Sequence, residues 1–331
     1  MSDTVRFLVP TGSLSERMRM YLAKAGFDID KPNRDGVCGR SRDGRIEFIE
    51  RDRRIIPHHI AGAYDAGITG LDLVIESGVK DLRTVAALCF ARASDRPTRW
   101  VLAKSMGVSL DLEDLRGQEV LSVRVGCELP FLASQLIGQN AAKLTHFTIH
   151  PTIRKLEGHE EMAPKDGLCE LVLVVTETGR SMREHNLTIV PGCEELLVSM
   201  PQIIAKPQLP ASQEEALQEL RFALEAVIGG ASRVMMKADL PTVAVHGLAL
   251  PAEVSPTVSS LALQGWSAIE VCIPRSDIGP VGLKLERAGA RGIVVQEVVA
   301  YATGNKSALS PSVPGDGPHP NPFDDGRGAR H

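Results

Sequence analysis

Leu171-Val172-Leu173-Val174-Val175-Thr176-Glu177-Thr178-Gly179-Arg180-Ser181 is the stretch on which the fold turns. Five consecutive apolar residues without alternation predict a strand covered on both faces, the pattern of a central strand in an α/β sheet. The polar turn that follows stands at the carboxyl edge of that sheet, where open α/β sheets bind ligands. Glu177 to Ser181 combines a glycine, two hydroxyls and the backbone amides of a strand-to-helix turn, a set that can nest one phosphate group. Plain capping of the helix-compatible residues 182–186 explains the same residues without a ligand.

Toward the N-terminus, residues 5–9 predict a strand, Pro10-Thr11-Gly12 a turn, and Ser13-Leu14-Ser15-Glu16 a capping box opening a helix that stops at Gly26. Residues 46–49 predict a strand and 60–66 a short helix. Gly67-Ile68-Thr69-Gly70 then reads as a strand ending in a glycine turn, with Asp72 placed to cap the next helix or to meet a ribose hydroxyl. Further strands are predicted at 100–103 and 119–123. Strands alternating with helices imply an α/β layer structure. Three glycine loops at strand ends, Thr11-Gly12-Ser13 among them, point together to a phosphorylated ligand more than any one does.

Toward the C-terminus, Pro207-Gln208-Leu209-Pro210 reads as a linker and Ser212-Gln213-Glu214-Glu215 as a second capping box. Leu217, Leu220, Leu224, Val227 and Ile228 form one helical stripe. Strands are predicted at 242–245, 268–273 and 292–295, with a short helix after Asp277 that ends at Gly289. This is a small α+β unit. From Gly304 the chain is dense in Pro, Gly, Ser and Asp and reads as disordered.

Lys and Arg number 37 against 41 Asp and Glu, a net charge of −4, which excludes a generally basic nucleic-acid binder. Aromatic residues make up only 4%, too few to serve as stacking platforms for single strands. No apolar run approaches the roughly 18 residues of a membrane span. The first residues show no export signal, so a cytoplasmic protein is expected. Six scattered cysteines without a C-x-x-C pair predict small buried hydrophobes, not a zinc or disulfide framework. His146 and His150 fall in an alternating stretch and are expected on an exposed strand face.

Three regions, in this order, resemble the ATP phosphoribosyltransferase family in its long form with a C-terminal regulatory domain. They are Asp65-Ala66-Gly67-Ile68-Thr69-Gly70-Leu71-Asp72, Gly167-Leu168 through Thr178-Gly179-Arg180-Ser181-Met182, and a set comprising Ser255-Pro256-Thr257-Val258, Trp266-Ser267-Ala268-Ile269 and Ala288-Gly289-Ala290-Arg291-Gly292-Ile293. The resemblance spans residues 5–301. It implies an α/β fold with a two-domain cleft like that of periplasmic binding proteins, plus a C-terminal α+β ferredoxin-like regulatory domain. Domain I would take residues 1–98 and 188–208, domain II 99–187 with the phosphate loop, the regulatory domain 211–303, and the tail 304–331.

The implied reaction joins N1 of ATP to C1 of phosphoribosyl pyrophosphate and releases pyrophosphate with Mg²⁺ present, the first step of histidine biosynthesis, under feedback inhibition by histidine. Dimers or hexamers are implied. By resemblance, Glu177, Thr178, Gly179, Arg180 and Ser181 hold phosphoribosyl pyrophosphate, with Gly70 and Asp72 lining the same cleft. Thr11, Gly12, Ser13 and Glu161 are implied to meet the nucleotide, and Ser255, Thr257 and Gly292 the inhibitory histidine. The chain departs from the family where Thr11-Gly12-Ser13 stands for K-G-R and where Val174 stands for an aspartate. The lost charge points to Arg51, Arg53, Arg99 or Arg124 as replacements. The alternative is a non-catalytic regulatory paralogue that binds histidine or nucleotide.

Overall fold

The computed structural model describes residues 3–12, 14–90, 97–106, 121–140, 149–156, 158, 160–250 and 256–302. Ser13, His146, His159, Ser255 and the tail from Gly304 lie outside the described residues.

The chain opens with β1 (Val5–Pro10), α1 (Ser15–Lys24), β2 (Val37–Arg40), β3 (Ile46–Arg51), α2 (Ile56–Gly62), β4 (Ala66–Gly70), α3 (Leu71–Ser77) and β5 (Arg83–Ala87). It crosses into a second lobe with β6 (Thr98–Ser105), β7 (Leu121–Cys127), α4 (Pro130–Gln139), β8 (Ile149–Lys155), β9 (Leu171–Thr176), α5 (Arg180–Glu184), β10 (Leu187–Ile189) and β11 (Leu197–Ser199). It then returns to the first sheet as β12 (Pro201–Ala205), followed by the long helix α6 (Ala211–Ala231).

The two sheets repeat one arrangement. In the first, the order β3-β1-β4-β12-β5 sets β1 parallel to β3 and β4, with β12 antiparallel between β4 and β5. In the second, β8-β7-β9-β6-β10 sets β7 parallel to β8 and β9, with β6 antiparallel between β9 and β10. The antiparallel member is in each case the strand that has just crossed from the other lobe. The expected central strand is β9, flanked by β6 and β7, with Leu171 to Val174 buried. β4 is buried along its whole length. Because β10 and β11 pair with β6, residues up to Ser199 belong to the second sheet. This corrects the boundary expected at 188.

Phe7, Val9 and Phe48 of the first sheet pack on Met18, Tyr21 and Leu22 of α1 and on Leu217, Leu220 and Leu224 of α6. Leu8, Ile49 and Ile204 face Ile56 and Ile60 on the opposite side. Polar contacts tie α6 to the same lobe: Gln213 Nε2 donates to the Thr4 carbonyl at 3.1 Å, and Glu214 and Glu219 pair with Arg83 and Arg45. The apolar stripe of α6 thus covers the first sheet, whereas the sequence assigned this helix to the third domain. Of the two predicted capping boxes, the first rests on Ser13, which lies outside the described residues, and the second does not form. α1 begins at Ser15 with Leu14 as its N-cap, and α6 begins after Pro210, leaving Ser212 Oγ to donate to Asp3 Oδ1 at 3.2 Å. The second helix starts at Ile56, four residues earlier than predicted, on Pro57 in its first turn.

The third sheet comprises β13 (Arg233–Pro241), β14 (Thr257–Ser260), β15 (Trp266–Pro274) and β16 (Arg291–Glu297), with α7 (Thr242–Val245) after β13 and α8 (Ile278–Arg287) before β16. Its order β14-β15-β13-β16 with a βαββαβ sequence is ferredoxin-like. Residues 242–245 form a helical turn, not the predicted strand. The strand lies just before, where Val234, Met236, Ala238 and Leu240 alternate inward. After β16 the chain comes back onto α6, and the Tyr301 amide donates to the Ala226 carbonyl at 2.7 Å. Gly229 and Gly230 make that approach possible: a Cβ at 229 would stand 2.6 Å from the Tyr301 carbonyl oxygen, and one at 230 would stand 2.8 Å from Ala300 N.

Of the cysteines, Cys38, Cys127, Cys169 and Cys193 are buried as expected, and burial pushes the Cys127 thiol up to about 12. Cys89 is exposed and Cys272 half-buried, which corrects the uniform expectation. Among the described residues no helix is long and apolar enough to cross a membrane.

Candidate functional site

Loops at the carboxyl ends of the parallel strands converge where the lobes meet. Arg54, after β3, pairs with Glu128 at the end of β7. Glu76 of α3 accepts a bond from the Leu132 amide in the first turn of α4 at 2.8 Å, placing a carboxylate at a helix N-terminus. Leu73 packs into the core of the second lobe beside Trp100 and Leu132.

Asp72 is central to this junction. Its Oδ2 accepts the Trp100 indole at 3.2 Å, its Oδ1 accepts the Leu73 amide at 2.9 Å, and its own amide donates to Ser199 Oγ at 3.3 Å. Trp100 and Ser199 lie on β6 and β11, so this one residue ties the first lobe to two strands of the second sheet. Burial raises its pKa, against the opposing pull of these hydrogen bonds and of the nearby Arg53 charge. The side chain expected to line a cleft is therefore committed to the junction. Gly70 makes room for it, since a Cβ there would stand 2.2 Å from Asp72 Oδ1. Thr69, fully buried, donates to the Arg53 carbonyl at 2.8 Å and pins the arginine-rich turn.

The topological counterpart of the β4 turn is the loop after β9. Gly179 adopts φ +70° and its amide donates to Thr176 Oγ1 at 3.0 Å, so the loop is closed from within. Arg183 Nη1 donates to the Thr178 carbonyl at 3.2 Å. Ser181 Oγ donates to Glu161 Oε1 at 2.7 Å, which brings Glu161 to this loop although the two are 20 residues apart. Arg180 is 80% exposed and pairs with Glu184 one turn on. Gly179→Ala is expected to cost about 1 kcal/mol for a left-handed non-glycine residue, read as a lower melting temperature. The clash itself is mild, because the Cβ meets only the flexible end of Arg183.

Thr11 and Gly12 follow β1 at the same edge; the Thr11 amide donates to the Arg51 carbonyl at 2.9 Å, and Gly12 turns at φ +87°. The arginines expected to replace lost charge have separate fates. Arg124 is held by Glu170 through several bonds, one at 2.9 Å. Arg51 donates to the Tyr64 hydroxyl at 2.8 Å. Val174 is packed with Val101 and Met182 in the sheet core. Thr257 begins β14 and Gly292 lies in β16, the two opposite edges of the third sheet, about 14 Å apart at three strand spacings. The fold of one chain does not bring them together.

Sequence reasoning missed the Arg54–Glu128 pair, the Trp100–Asp72 bond and Arg183. The first two join residues 74 and 28 positions apart and leave no local pattern. A shallow depression lined by Ala61, Val79, Lys206 and Pro207 lies away from these loops. Among the described residues no three His, Cys, Asp or Glu side chains gather as a protein-only metal cage.

Two lobes of one topology, meeting at their strand-end loops and carrying a ferredoxin-like third sheet, define a two-lobed α/β cleft protein with an added domain. The ATP phosphoribosyltransferase (HisG) profile matches residues 51–226, and that of the HisG C-terminal domain matches 231–300. The ATP phosphoribosyltransferase of Chlorobium phaeobacteroides is 30% identical over 299 residues, 88% of this chain and 96% of that one. That of Geotalea uraniireducens is 29% identical over 305 residues, 89% and 97% of the two chains. Among solved structures, the ATP phosphoribosyl transferase (HisG:HisZ) complex from Thermotoga maritima shares the fold at TM-score 0.52 and 23% identity, over 67% of this chain and 99% of that one. The chain belongs to the ATP phosphoribosyltransferase family, the enzymes of the first step of histidine biosynthesis.

Proposed function

We propose that the loop after β9 seats the 5-phosphate of phosphoribosyl pyrophosphate while ATP enters from the side of Thr11, Gly12 and Ser13, so that adenine N1 meets C1 and pyrophosphate departs. The observation that carries this reading is the Gly179 turn, braced by Thr176 and bordered by Glu161, at the carboxyl edge of the central strand. Such a transfer needs alignment and charge stabilisation more than covalent help from side chains. Glu177, Thr178, Gly179, Arg180 and Ser181 are assigned to the sugar phosphate. Gly70 and Asp72 act on the cleft through the junction.

Mg²⁺ fits this site as a cation carried by substrate phosphates, with Glu161 and Glu177 as the nearby carboxylates. When bound, it supplies charge neutralisation for the departing pyrophosphate. Histidine is assigned to Ser255, Thr257 and Gly292. Because two of these lie on opposite sheet edges, the site is assembled between neighbouring chains, in keeping with a homodimer or homohexamer. The chain is assigned to the cytoplasm, a reading supported by a biosynthetic step that consumes ATP.

The test follows phosphoribosyl-ATP formation by ultraviolet absorbance with Mg²⁺ and pyrophosphatase, with and without histidine. Turnover suppressed by histidine is the expected result. Histidine binding by calorimetry without turnover under any condition would replace the enzyme with a regulatory paralogue.

A further inference from the structure

We infer that Arg99 is a substrate-binding cation of the transferase, meeting the phosphate of phosphoribosyl pyrophosphate beside the loop after β9; this rests on the reading above. Arg99 is the second residue of β6, the strand that has just crossed from the first lobe. Its register partner across the sheet is Thr176. Directly opposed residues of an antiparallel pair project to the same face, so the Arg99 side chain stands beside the threonine whose hydroxyl braces Gly179.

Both neighbours of Arg99 are fixed. Thr98 Oγ1 donates to the Ser199 carbonyl at 3.0 Å, and the Trp100 indole donates to Asp72. A cation between two anchored residues is pre-positioned for its ligand. The other arginines near the meeting of the lobes whose bonds are described are already engaged: Arg54 by Glu128, Arg124 by Glu170, Arg180 by Glu184, Arg183 by the Thr178 carbonyl. The Arg99 side chain is half-buried yet, among the described residues, takes no hydrogen bond or ion pair. A guanidinium removed from part of its water without a carboxylate partner is suited to an incoming anion, which it can grip with two parallel bonds. Thr11 and Ser13 carry no charge at the first loop, so the positive charge would come from the second lobe.

Steady-state rates for the full chain, Arg99→Met and Arg99→Lys test this, with phosphoribosyl pyrophosphate and ATP titrated separately. Arg99→Met is expected to raise the KM for phosphoribosyl pyrophosphate at least tenfold and to leave that for ATP within twofold, with Arg99→Lys in between. A KM for phosphoribosyl pyrophosphate within twofold of wild type in Arg99→Met, or an equal rise in both KM values, overturns the assignment. Calorimetry with ribose 5-phosphate on the same three proteins separates this inference from the transferase reading. If the wild type shows no turnover, that reading fails, and Arg99 stands on a tenfold affinity loss in Arg99→Met or falls on its absence.

Discussion

Gly230→Ala is expected to push the returning segment at 299–301 off helix α6 and to lower stability by about 3 kcal/mol, the upper part of the usual range for overpacking. The new Cβ would stand 2.8 Å from three backbone atoms, Ala300 N and the carbonyl carbon and oxygen of Val299. Backbone cannot swing aside as a side-chain tip can, so the segment must move and release the bond from the Tyr301 amide to the Ala226 carbonyl. It also carries the ring that Arg233 covers at 4.2 Å. Differential scanning calorimetry should show the loss, with hydrogen exchange faster at the Tyr301 amide. Gly279→Ala is the control, because nothing lies within 4 Å of its Cβ position. Equal melting of the two variants would refute the account of this seam.

Asp72→Ala removes the acceptor of the buried Trp100 indole and separates the first lobe from β6, at a cost of about 3 kcal/mol for an orphaned buried donor and its lost partner. Asp72→Asn keeps one oxygen for Trp100 but offers only one good acceptor where the carboxylate serves two donors, so it should fall between alanine and wild type. The pH dependence has a definite sign. A raised folded-state pKa means that the neutral carboxyl is the form the fold prefers. Its contribution is full below the ordinary aspartate value of 3.8 and is lost as pH rises through the folded value. The advantage of wild type over Asp72→Asn should therefore shrink as pH rises above 3.8. Urea melts across that range decide the matter: a widening gap, or identical behaviour of the two variants, counts against the buried carboxylate.

Both predictions rest on contacts that no local pattern announces, and this marks where sequence reading stops. The central strand and its glycine loop were legible because burial on both faces writes an unbroken apolar run, realised from Leu171 to Val174 while Val175 is exposed, and a left-handed turn calls for Gly179. The stripe Leu217, Leu220, Leu224 was legible as a helix face. Which sheet it covers was not, since periodicity states that a face is buried and not against what. The β-branched run Thr242-Val243-Ala244-Val245 misled because a residue's strand preference yields to context. The strand before it was written in the alternation Val234, Met236, Ala238, Leu240. Of the candidate site, the loop residues were readable, but Glu161 beside Ser181 and Arg99 opposite Thr176 are facts of pairing across the fold.

The strand exchange between the lobes also bears on how the chain is made. β12 lies between β4 and β5, yet it is the last strand of the two lobes to leave the ribosome. Until residue 205 emerges, β4 and β5 have no strand between them, and the inner edge of β4 is bare. At usual rates of synthesis the delay from residue 70 to residue 205 is on the order of ten seconds. Helix α6, which covers Phe7 and Val9, arrives later still. The second lobe receives its own crossing strand, β6, at its very start and is complete by β11. The lobe translated first is thus the lobe completed last, and chaperones that guard unfinished sheet edges would find their client in the N-terminal half of the nascent chain.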